Sequence, residues 1–287
     1  MRQLYETAGI SKQGFHQGCI QKGREEYSYQ RLIEMVKEVR KEHPRMGARP
    51  MYYKLNMQGI GINKFEKFIS NQGLGIRKER KRVITTFSNH NMEKYQNLIY
   101  GLKLDNVNQL WSSDITYWIT LKETYYITFI QDVYSRRILG YKVSNNMFTE
   151  NNIEVLETSF KIRGLHKYNG LIHHSDKGSQ YCSRTYIKAL KDASIKISMA
   201  NNSIENGYSE RLNGIIKNDY LCFMDVTTPT KLVKSLDKVV WLYNNERPHS
   251  ELGYMTPVAY EKYLEQLTKD NRLILKLYDF KENSNGF

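Results

Sequence analysis

The hydrophobic positions in the first third of the chain recur at the spacing of helices. Four apolar side chains follow Ser28 at intervals of three or four residues: Leu32, Met35, Val36 and Val39. This spacing predicts an amphipathic helix that Ser28 caps and Pro44 ends. A second, short helix is predicted over residues 49–57, before a turn that contains Gly59 and Gly61.

A third helix is predicted from the apolar stripe of Phe65, Phe68 and Ile69, with Gly73 at its end. The spacing of Asn63 and Glu66 is like that of a capping box. A helix, a glycine-containing turn and a second helix together make the helix-turn-helix pattern, which is typical of DNA-binding proteins. The expected DNA-binding region spans residues 1–82.

A strongly basic run, IRKERKRV, follows these helices directly. It is either a solvated linker or a segment that contacts DNA phosphates, and the helices before it favour the second interpretation. The cations of the run are Arg77, Lys78, Arg80, Lys81 and Arg82. Residues 83–104 are expected to be a connector with a short helix near 92–99.

From about residue 105 the pattern changes to the alternation that is typical of strands. Segments 111–119, 125–133 and 137–143 predict three consecutive strands of an antiparallel meander. Short strands are then predicted over 171–174 and 195–199, and helices over 149–163, 184–193 and 205–220. The resulting order, β-β-β-α-β-α-β-α, predicts an α/β fold with a mixed sheet covered by helices.

Composition narrows the functional classes. The net charge is +13, and 20 Lys and Arg against 9 Asp and Glu fall within residues 1–104, which favours a nucleic-acid partner. No apolar run is long enough to cross a membrane and no signal-peptide core is present, so a cytoplasmic location is expected. The three cysteines, Cys19, Cys182 and Cys222, have spacings that suggest neither a disulfide framework nor a zinc pair.

Three carboxylates are placed where acidic side chains need a compensating partner. Asp114 lies within the strand WSSDITYW, among residues suited to a core, and Asp176 directly follows a short apolar strand. Glu210 lies on the last predicted helix and shares one side of it with Asn213 and Lys217. Taken alone, that helix would by default be interpreted as carrying a solvent-facing Glu–Lys pair.

Carboxylates on separate, rigid elements are what a two-metal phosphoryl-transfer site requires. Mg²⁺ prefers oxygen ligands, and two ions can assist both the attacking and the leaving oxygen at phosphorus. Asp114, Asp176 and Glu210 are therefore the candidate metal ligands and catalytic residues.

Other candidates have simpler interpretations. Asp132 is expected to pair with Arg136 or Arg137, or to order the turn after its strand. His173 and His174 are expected to be structural or to support the site from behind, and the serines near the carboxylates have no convincing base partner for nucleophilic catalysis. Arg247 is a candidate DNA contact.

Five blocks in order resemble the IS3 family of bacterial insertion-sequence transposases, which have the DDE motif. They are WSSDITYW, IQDVYSRRILGY, LIHHSDKGSQYCS, SMANNSIENGYSERLNGIIKNDY and YNNERPHSELGYMTPVAY. The resemblance implies an RNase H-like, retroviral-integrase-like core, with the catalytic triad at Asp114, Asp176 and Glu210. It also places a DNA-contacting lysine at Lys217. The core is expected over 105–226 and a helical extension over 227–287.

The resemblance further implies Mg²⁺ or Mn²⁺, with two ions expected, and DNA cleavage followed by attack of a 3′-OH on another phosphodiester. The expected partners are the element ends, target DNA, further copies of this chain and a DNA-binding product of an upstream frame, all at the bacterial nucleoid. One departure is a spacing of 33 residues between Asp176 and Glu210, where the family usually has thirty-five. Two alternatives stay open: a catalytically inactive DNA-binding derivative, and an RNase H-like structure-specific nuclease.

Overall fold

The computed structural model describes residues 11–76, 91–120, 123–164 and 167–278. The chain divides into two compact units, 1–46 and 47–287. None of the helices within these described ranges is long and apolar enough to span a membrane.

In the first unit, a single helix α1 occupies Lys12–Glu42. The prediction that Ser28 caps it is wrong, because the helix begins sixteen residues earlier in the chain at Lys12 and Ser28 lies inside it. Its end two residues before Pro44 confirms the predicted stop, since proline disfavours helical geometry in the residue that precedes it. Arg40 and Lys41 lie in the last turn, where cations interact favourably with the helix dipole.

The second unit begins with a pair of short helices, α2 (Ala48–Lys54) and α3 (Ile62–Asn71). The apolar stripe predicted for α3 is buried, as expected. The capping box is not formed: Gly61 precedes the helix without a side-chain cap, and Glu66 instead accepts a 2.7 Å hydrogen bond from Arg49 Nε.

The helix pair is held to the C-terminal part of the same unit. Tyr53 stacks on Tyr254, with ring centres 4.0 Å apart and planes at 14°. Lys54 Nζ donates a 2.6 Å hydrogen bond to Glu246. Aromatic stacking of this kind contributes about 0.5–1.5 kcal/mol beyond the apolar area that it buries.

A five-stranded mixed sheet forms the centre of the unit, in the order β4-β3-β2-β5-β6. Strands β2, β3 and β4 pair antiparallel as the predicted meander, and β5 and β6 continue the sheet in parallel. Each strand lies within one residue of its predicted bounds, because the alternation in the sequence matches the pleat. The strands are β2 (Leu110–Ile119), β3 (Thr124–Asp132), β4 (Ile138–Ser144), β5 (Ile172–Ser175) and β6 (Lys196–Met199).

Helices cover the sheet and complete two hydrophobic cores. The first core contains Trp111 and packs against α4 and α5, and the second contains Ile127 and packs against α6 and α7. Thr228 and Thr256 cap α7 and α8, each with proline at the start of the helix, which is the pattern expected there. The helices are α4 (Thr149–Arg163), α5 (Arg184–Asp192), α6 (Gly207–Gly214), α7 (Pro229–Asn245) and α8 (Pro257–Glu265).

The helix predicted over 205–220 divides into three kinds of turn. A 3₁₀ turn over Ser203–Asn206 leads into α6, and a π-helical segment over Ile215–Tyr220 follows it. Further 3₁₀ turns occupy Leu221–Phe223, Ser250–Leu252 and Lys269–Asn271.

The predicted connector helix near 92–99 is wrong, because residues 91–99 contain no helical turn. This segment instead runs beside β6: the backbone N–H of Leu98 donates to Ser198 Oγ at 2.9 Å, and that of Tyr95 to Met199 Sδ at 3.4 Å. A two-residue strand β1 (Lys103–Leu104) then pairs antiparallel with β7 (Leu275–Lys276).

Candidate active site

Asp114 lies in the middle of β2, the central strand of the sheet. Its neighbour β5 runs parallel to β2, with Ser112 opposite His174. Asp114 lies two residues after Ser112, and Asp176 lies two residues after His174, so the same pairing register places the two aspartates opposite each other. Asp176 directly follows the last residue of β5. Adjacent strands lie about 4.8 Å apart, so the two aspartates emerge side by side at the strand end.

Asp176 is oriented by the tight turn that follows it. The backbone N–H of Gly178 donates a 2.9 Å hydrogen bond to Asp176 Oδ1. A Cβ at position 178 would lie 3.0 Å from that same oxygen, a tight contact that would require the carboxylate to shift by a few tenths of an ångström.

Helix α6 brings Glu210 and Asn213 to the aspartates. Asn213 Nδ2 donates a 2.7 Å hydrogen bond to Asp114 Oδ2 across 99 residues of sequence. Glu210 lies one turn earlier on the same side of the helix and is exposed. Asn213 and Lys217 on this side of the helix thus contact β2, whereas the role of the exposed Glu210 as a metal ligand stays a prediction.

The three carboxylates share one electrostatic environment. Burial first, and then the charges of Asp176 and Glu210, raise the pKa of Asp114 to about 8, against the opposing hydrogen bonds from Ile115 and Asn213. Burial also raises the pKa of Glu210. Burial and like charge at Asp114 are the conditions that a bound cation relieves.

The donor set fits a hard divalent cation, because all three groups are carboxylates. Within the described ranges, however, no three His, Cys, Asp or Glu side chains are gathered closely enough to hold a metal ion as they stand. The site is therefore an electronegative region with three acidic residues, Asp114, Asp176 and Glu210, whose side chains are not in coordinating positions around a metal ion.

Lys217 lies beyond Asn213 on the π-helical segment. Its Nζ donates a 3.2 Å hydrogen bond to Thr116 Oγ1 and lies 4.6 Å from the centre of the Tyr117 ring. Burial lowers the pKa of Lys217, while the charge of Asp114 acts in the opposite direction. The ammonium group is therefore held beside the strand that carries Asp114.

The two histidines before Asp176 are buried and hydrogen-bonded, as expected for supporting residues. His173 Nε2 lies 3.0 Å from the hydroxyl of Tyr186. His174 Nε2 lies 3.1 Å from the carbonyl oxygen of Glu205, so this nitrogen is the donor, and Nδ1 is left to accept from Ser198 at 2.8 Å. Burial lowers the pKa of His173 to about 3 and that of His174 to about 4, so both are neutral.

Glu205, which sequence reasoning did not single out, anchors the shortened loop before α6. It is only 6% exposed, and hydrogen bonds lower its pKa although burial alone would raise it. The hydroxyl of Tyr100 is one donor to its carboxylate. The others are Asn97 Nδ2 at 2.7 Å, the backbone N–H of Asn201 at 2.7 Å and Asn202 Nδ2 at 3.1 Å. The 33-residue spacing thus ends in a loop that is tied down on several sides.

Two further predicted residues have protein partners. Asp132 orders its turn by accepting from the backbone of Tyr134 and Ser135, as expected, but its ion-pair partner is Arg163 at 3.0 Å and not Arg136 or Arg137. The reason is that Arg163, at the end of α4, reaches the buried end of β3.

Arg247, the candidate DNA contact, donates to Asp219 at 2.8 Å and to the Tyr220 hydroxyl at 3.4 Å. Its side chain is 15% exposed, so DNA contact through Arg247 stays a prediction. The basic run of Arg77, Lys78, Arg80, Lys81 and Arg82 lies outside the described residues.

Comparison with known proteins identifies the family. Two models of the integrase core domain match residues 105–202 and 191–257. The uncharacterized 31 kDa protein of insertion element IS600 from Shigella sonnei is 29% identical over 271 residues, which are 91% of this chain and 98% of that protein. The transposase for insertion sequence element IS904 from Lactococcus lactis is 30% identical over 242 residues, 81% of this chain and 94% of that protein. The chain belongs to the IS3 family of insertion-sequence transposases.

The fold of this IS3-family protein is that of an integrase core. The simian T-cell lymphotropic virus intasome, solved by cryoEM in complex with PP2A regulatory subunit B56 gamma, contains a chain with a TM-score of 0.50 and 14% identity. The match covers 79% of the IS3-family chain and 74% of the viral one. The predicted RNase H-like sheet with flanking helices and N-terminal helices is confirmed.

Proposed function

We propose that this IS3-family protein is an active transposase that cuts DNA and joins the resulting 3′-OH to another phosphodiester. The observation that carries the proposal is the position of Asp114. Its carboxylate lies mid-strand in the sheet, level with Asp176, and it is hydrogen-bonded from the helix that bears Glu210. A buried carboxylate whose pKa is raised by the charges of two other acids has little structural benefit.

We further propose that Asp114, Asp176 and Glu210 hold divalent ions, Mg²⁺ or Mn²⁺, with two ions in the active complex. Bound ions of this kind activate an attacking oxygen and stabilise a leaving oxygen at phosphorus. The chain's own residues orient the ligands: Asn213 fixes one oxygen of Asp114, and the backbone of Gly178 fixes one oxygen of Asp176. Water and then a DNA 3′-OH are the proposed nucleophiles, with no covalent enzyme intermediate.

The proposed substrates are the element ends and target DNA. Lys217 supports this assignment, because its ammonium group lies on the Asp114 side of the helix, where a DNA phosphate would approach the carboxylates. The positive charge concentrated in residues 1–104 is the second support. Under this proposal residues 1–82 grip DNA, 83–104 connect, 105–226 carry the chemistry and 227–287 extend the core.

Synapsis of two DNA ends would require further copies of this chain on DNA, and we propose a homo-oligomer at the bacterial nucleoid. An upstream-frame DNA-binding partner is part of the same proposal. The transposase of insertion element IS904, to which this chain is 30% identical, supports the underlying assignment of a transposase.

The decisive experiment compares Glu210→Gln with the parent protein on an end-labelled duplex that carries the element terminus. We expect Mg²⁺-dependent nicking and joining by the parent, and neither reaction by the variant, while DNA affinity without metal stays within twofold. Glu157→Gln is the matched control, because Glu157 is an exposed glutamate on α4 and should change nothing.

Other outcomes would indicate a different function or a different set of metal ligands. Salt-sensitive DNA binding by the parent without Mg²⁺-dependent nicking would identify an inactive DNA-binding derivative. Cleavage of flaps, hybrids or junctions without joining would identify a structure-specific nuclease. Full activity of the Glu210→Gln variant would exclude Glu210 as a metal ligand.

A further inference from the structure

A second polar cleft lies on the side of α6 that faces away from Glu210. Its cavity volume is about 30 Å³, and it is partly open to solvent. Its walls come from the turn between β3 and β4, from α6 and from the segment around His249. The cleft is thus separate from the carboxylate site but shares a helix with it.

Arg136 forms the buried wall of this cleft. The residue is 6% exposed and its backbone adopts a left-handed φ of 62°, an uncommon conformation for a residue with a bulky side chain. The guanidinium carbon lies 4.4 Å from the centre of the Tyr208 ring, and Nη2 pairs with Glu251 at 2.5 Å. The geometry fixes the planar group in one orientation.

Several polar atoms of the cleft lack a protein partner. Arg136 Nε and Nη1 are buried and have no hydrogen-bond partner in the described part of the chain, and the same is true of His249 Nε2 and Gln131 Oε1. A buried donor on a charged group that is left unpaired is destabilising. Of these four atoms, the two on Arg136 are donors of a charged group, whereas Gln131 Oε1 is an acceptor, so the unpaired donors of the cleft belong to Arg136.

The charges of the cleft favour an anion. Arg136 lies inside and Arg211, whose side chain is 63% exposed, stands at the opening. Glu251 is the acidic group that faces them, and it bridges Arg136 at 2.5 Å and Arg211 at 2.6 Å from a 41% exposed position. Two cations against one carboxylate leave a positive charge, beside a guanidinium whose remaining donors are unused.

We propose that this cleft binds a phosphate group, with Arg136 and Arg211 as its charged ligands. The planar guanidinium matches the oxygens of a phosphate. Its Nε and Nη1 donors are buried and have no other hydrogen-bond partner among the described residues. Resting on the proposed function, the phosphate is one of the DNA backbone, held on the opposite side of α6 from the reacting strand. The helix that carries Glu210 would then have a DNA contact on each of two opposite sides.

The first arm of the test needs neither DNA nor metal. Inorganic phosphate is titrated against chloride at equal ionic strength, and the melting temperature is measured. We expect a saturable, phosphate-specific rise in the parent that is lost in Arg211→Gln and in Arg136→Lys, which keeps the charge but lacks the planar fork. Arg184→Gln, at an exposed position on α5, should respond as the parent does.

Equal shifts in all four proteins, or no shift in the parent, would mean that the cleft holds water only and would overturn the proposal. Arg211→Gln keeps this outcome accessible even if the buried Arg136 variant fails to fold.

The second arm identifies the source of the phosphate. DNA affinity is measured without metal at several salt concentrations for the parent, Arg211→Gln and Arg184→Gln. Loss of one phosphate contact should make the slope of log K against log salt less negative by about 0.9. An unchanged slope together with a positive first arm would overturn the DNA assignment. Neither arm uses catalysis, so failure of the carboxylate triad would not affect them.

Discussion

Replacing Arg163 with methionine should destabilise the fold by about 3 kcal/mol. Arg163 ends α4, is 8% exposed and bonds two acids: Asp132 at 3.0 Å, and Glu261 at 2.9 Å and 2.8 Å. Asp132 is fully buried. Methionine fills a similar volume without the charge, so the change isolates the loss of the cation.

The magnitude follows from what the acids retain. Removing one partner from a buried ion pair typically costs about 3–5 kcal/mol. Asp132 would keep its backbone donors, among them Asn108 at 2.7 Å. Glu261 would keep Arg137 at 2.6 Å and Ser135 at 2.6 Å. The lower end of the range is therefore expected, which is a change of roughly a hundredfold in the folding equilibrium.

The assay is urea unfolding followed by tryptophan fluorescence at pH 7, because Trp111 lies fully buried in the core that α4 covers. Arg184→Met is the control and should stay within about 0.5 kcal/mol of the parent. A loss below about 1 kcal/mol in Arg163→Met would refute the reasoning, since it would mean that the buried acids need no cation.

The pH dependence gives an independent check. Burial alone would raise the pKa of Glu261, but hydrogen bonds and the charge of Arg163, with Ser135 and Arg137, lower it below the ordinary 4.5. A carboxylate with a lowered folded pKa stabilises the fold above its unfolded pKa, and the contribution is lost as pH falls through the folded value. The Glu261 contribution should therefore be lost below about pH 4.5 in the parent. Burial raises the pKa of Asp132, which acts in the opposite direction, so the test is the comparison: Arg163→Met should lose less stability than the parent in that window.

Two further substitutions test the packing and the loop. Gly140→Ala would place a Cβ 2.4 Å from the carbonyl oxygen of Val155 on α4, and we expect the free energy of unfolding in urea to fall by about 1–3 kcal/mol. The control is Gly75→Ala, where no atom lies within contact distance of the added Cβ. Equal stability of the Gly140→Ala and Gly75→Ala variants would contradict the close approach at Gly140. Glu205→Gln replaces one acceptor oxygen by a donor amide, so it should lower the free energy of unfolding by about 1.5–3 kcal/mol. Proteolytic cleavage within residues 200–206 should also become faster. Cleavage at the rate measured for the control Glu157→Gln would show that the loop does not depend on the Glu205 carboxylate.

Alternation and helical spacing were sufficient to predict the sheet and most helices. They failed where a segment's conformation depends on partners far away in the chain. Residues 92–99 have apolar and polar positions compatible with a helix, but they lie extended because β6 offers Ser198 and Met199 as acceptors. The division of 203–220 into 3₁₀, α and π turns was also not predictable, since one apolar side suits all three.

The candidate site divides in the same way. Asp114, Asp176 and Glu210 could be proposed from their positions on strands and a helix, and from the resemblance of the surrounding blocks. Their orienting partners could not, because Asn213 meets Asp114 across 99 residues. Nor could the donors around Glu205 be foreseen, since amides and hydroxyls with such contacts are indistinguishable in sequence from ordinary surface residues.

The pairing of β1 with β7 constrains how the protein can be made. Strand β1 leaves the ribosome long before its partner β7. The edge that it forms therefore has no pairing strand while the residues of the central sheet are synthesised. Leu104 and Leu277 are buried beneath that edge. Translation that stops early would therefore yield a nascent chain with an open hydrophobic seam, and such products should be selectively degraded or insoluble.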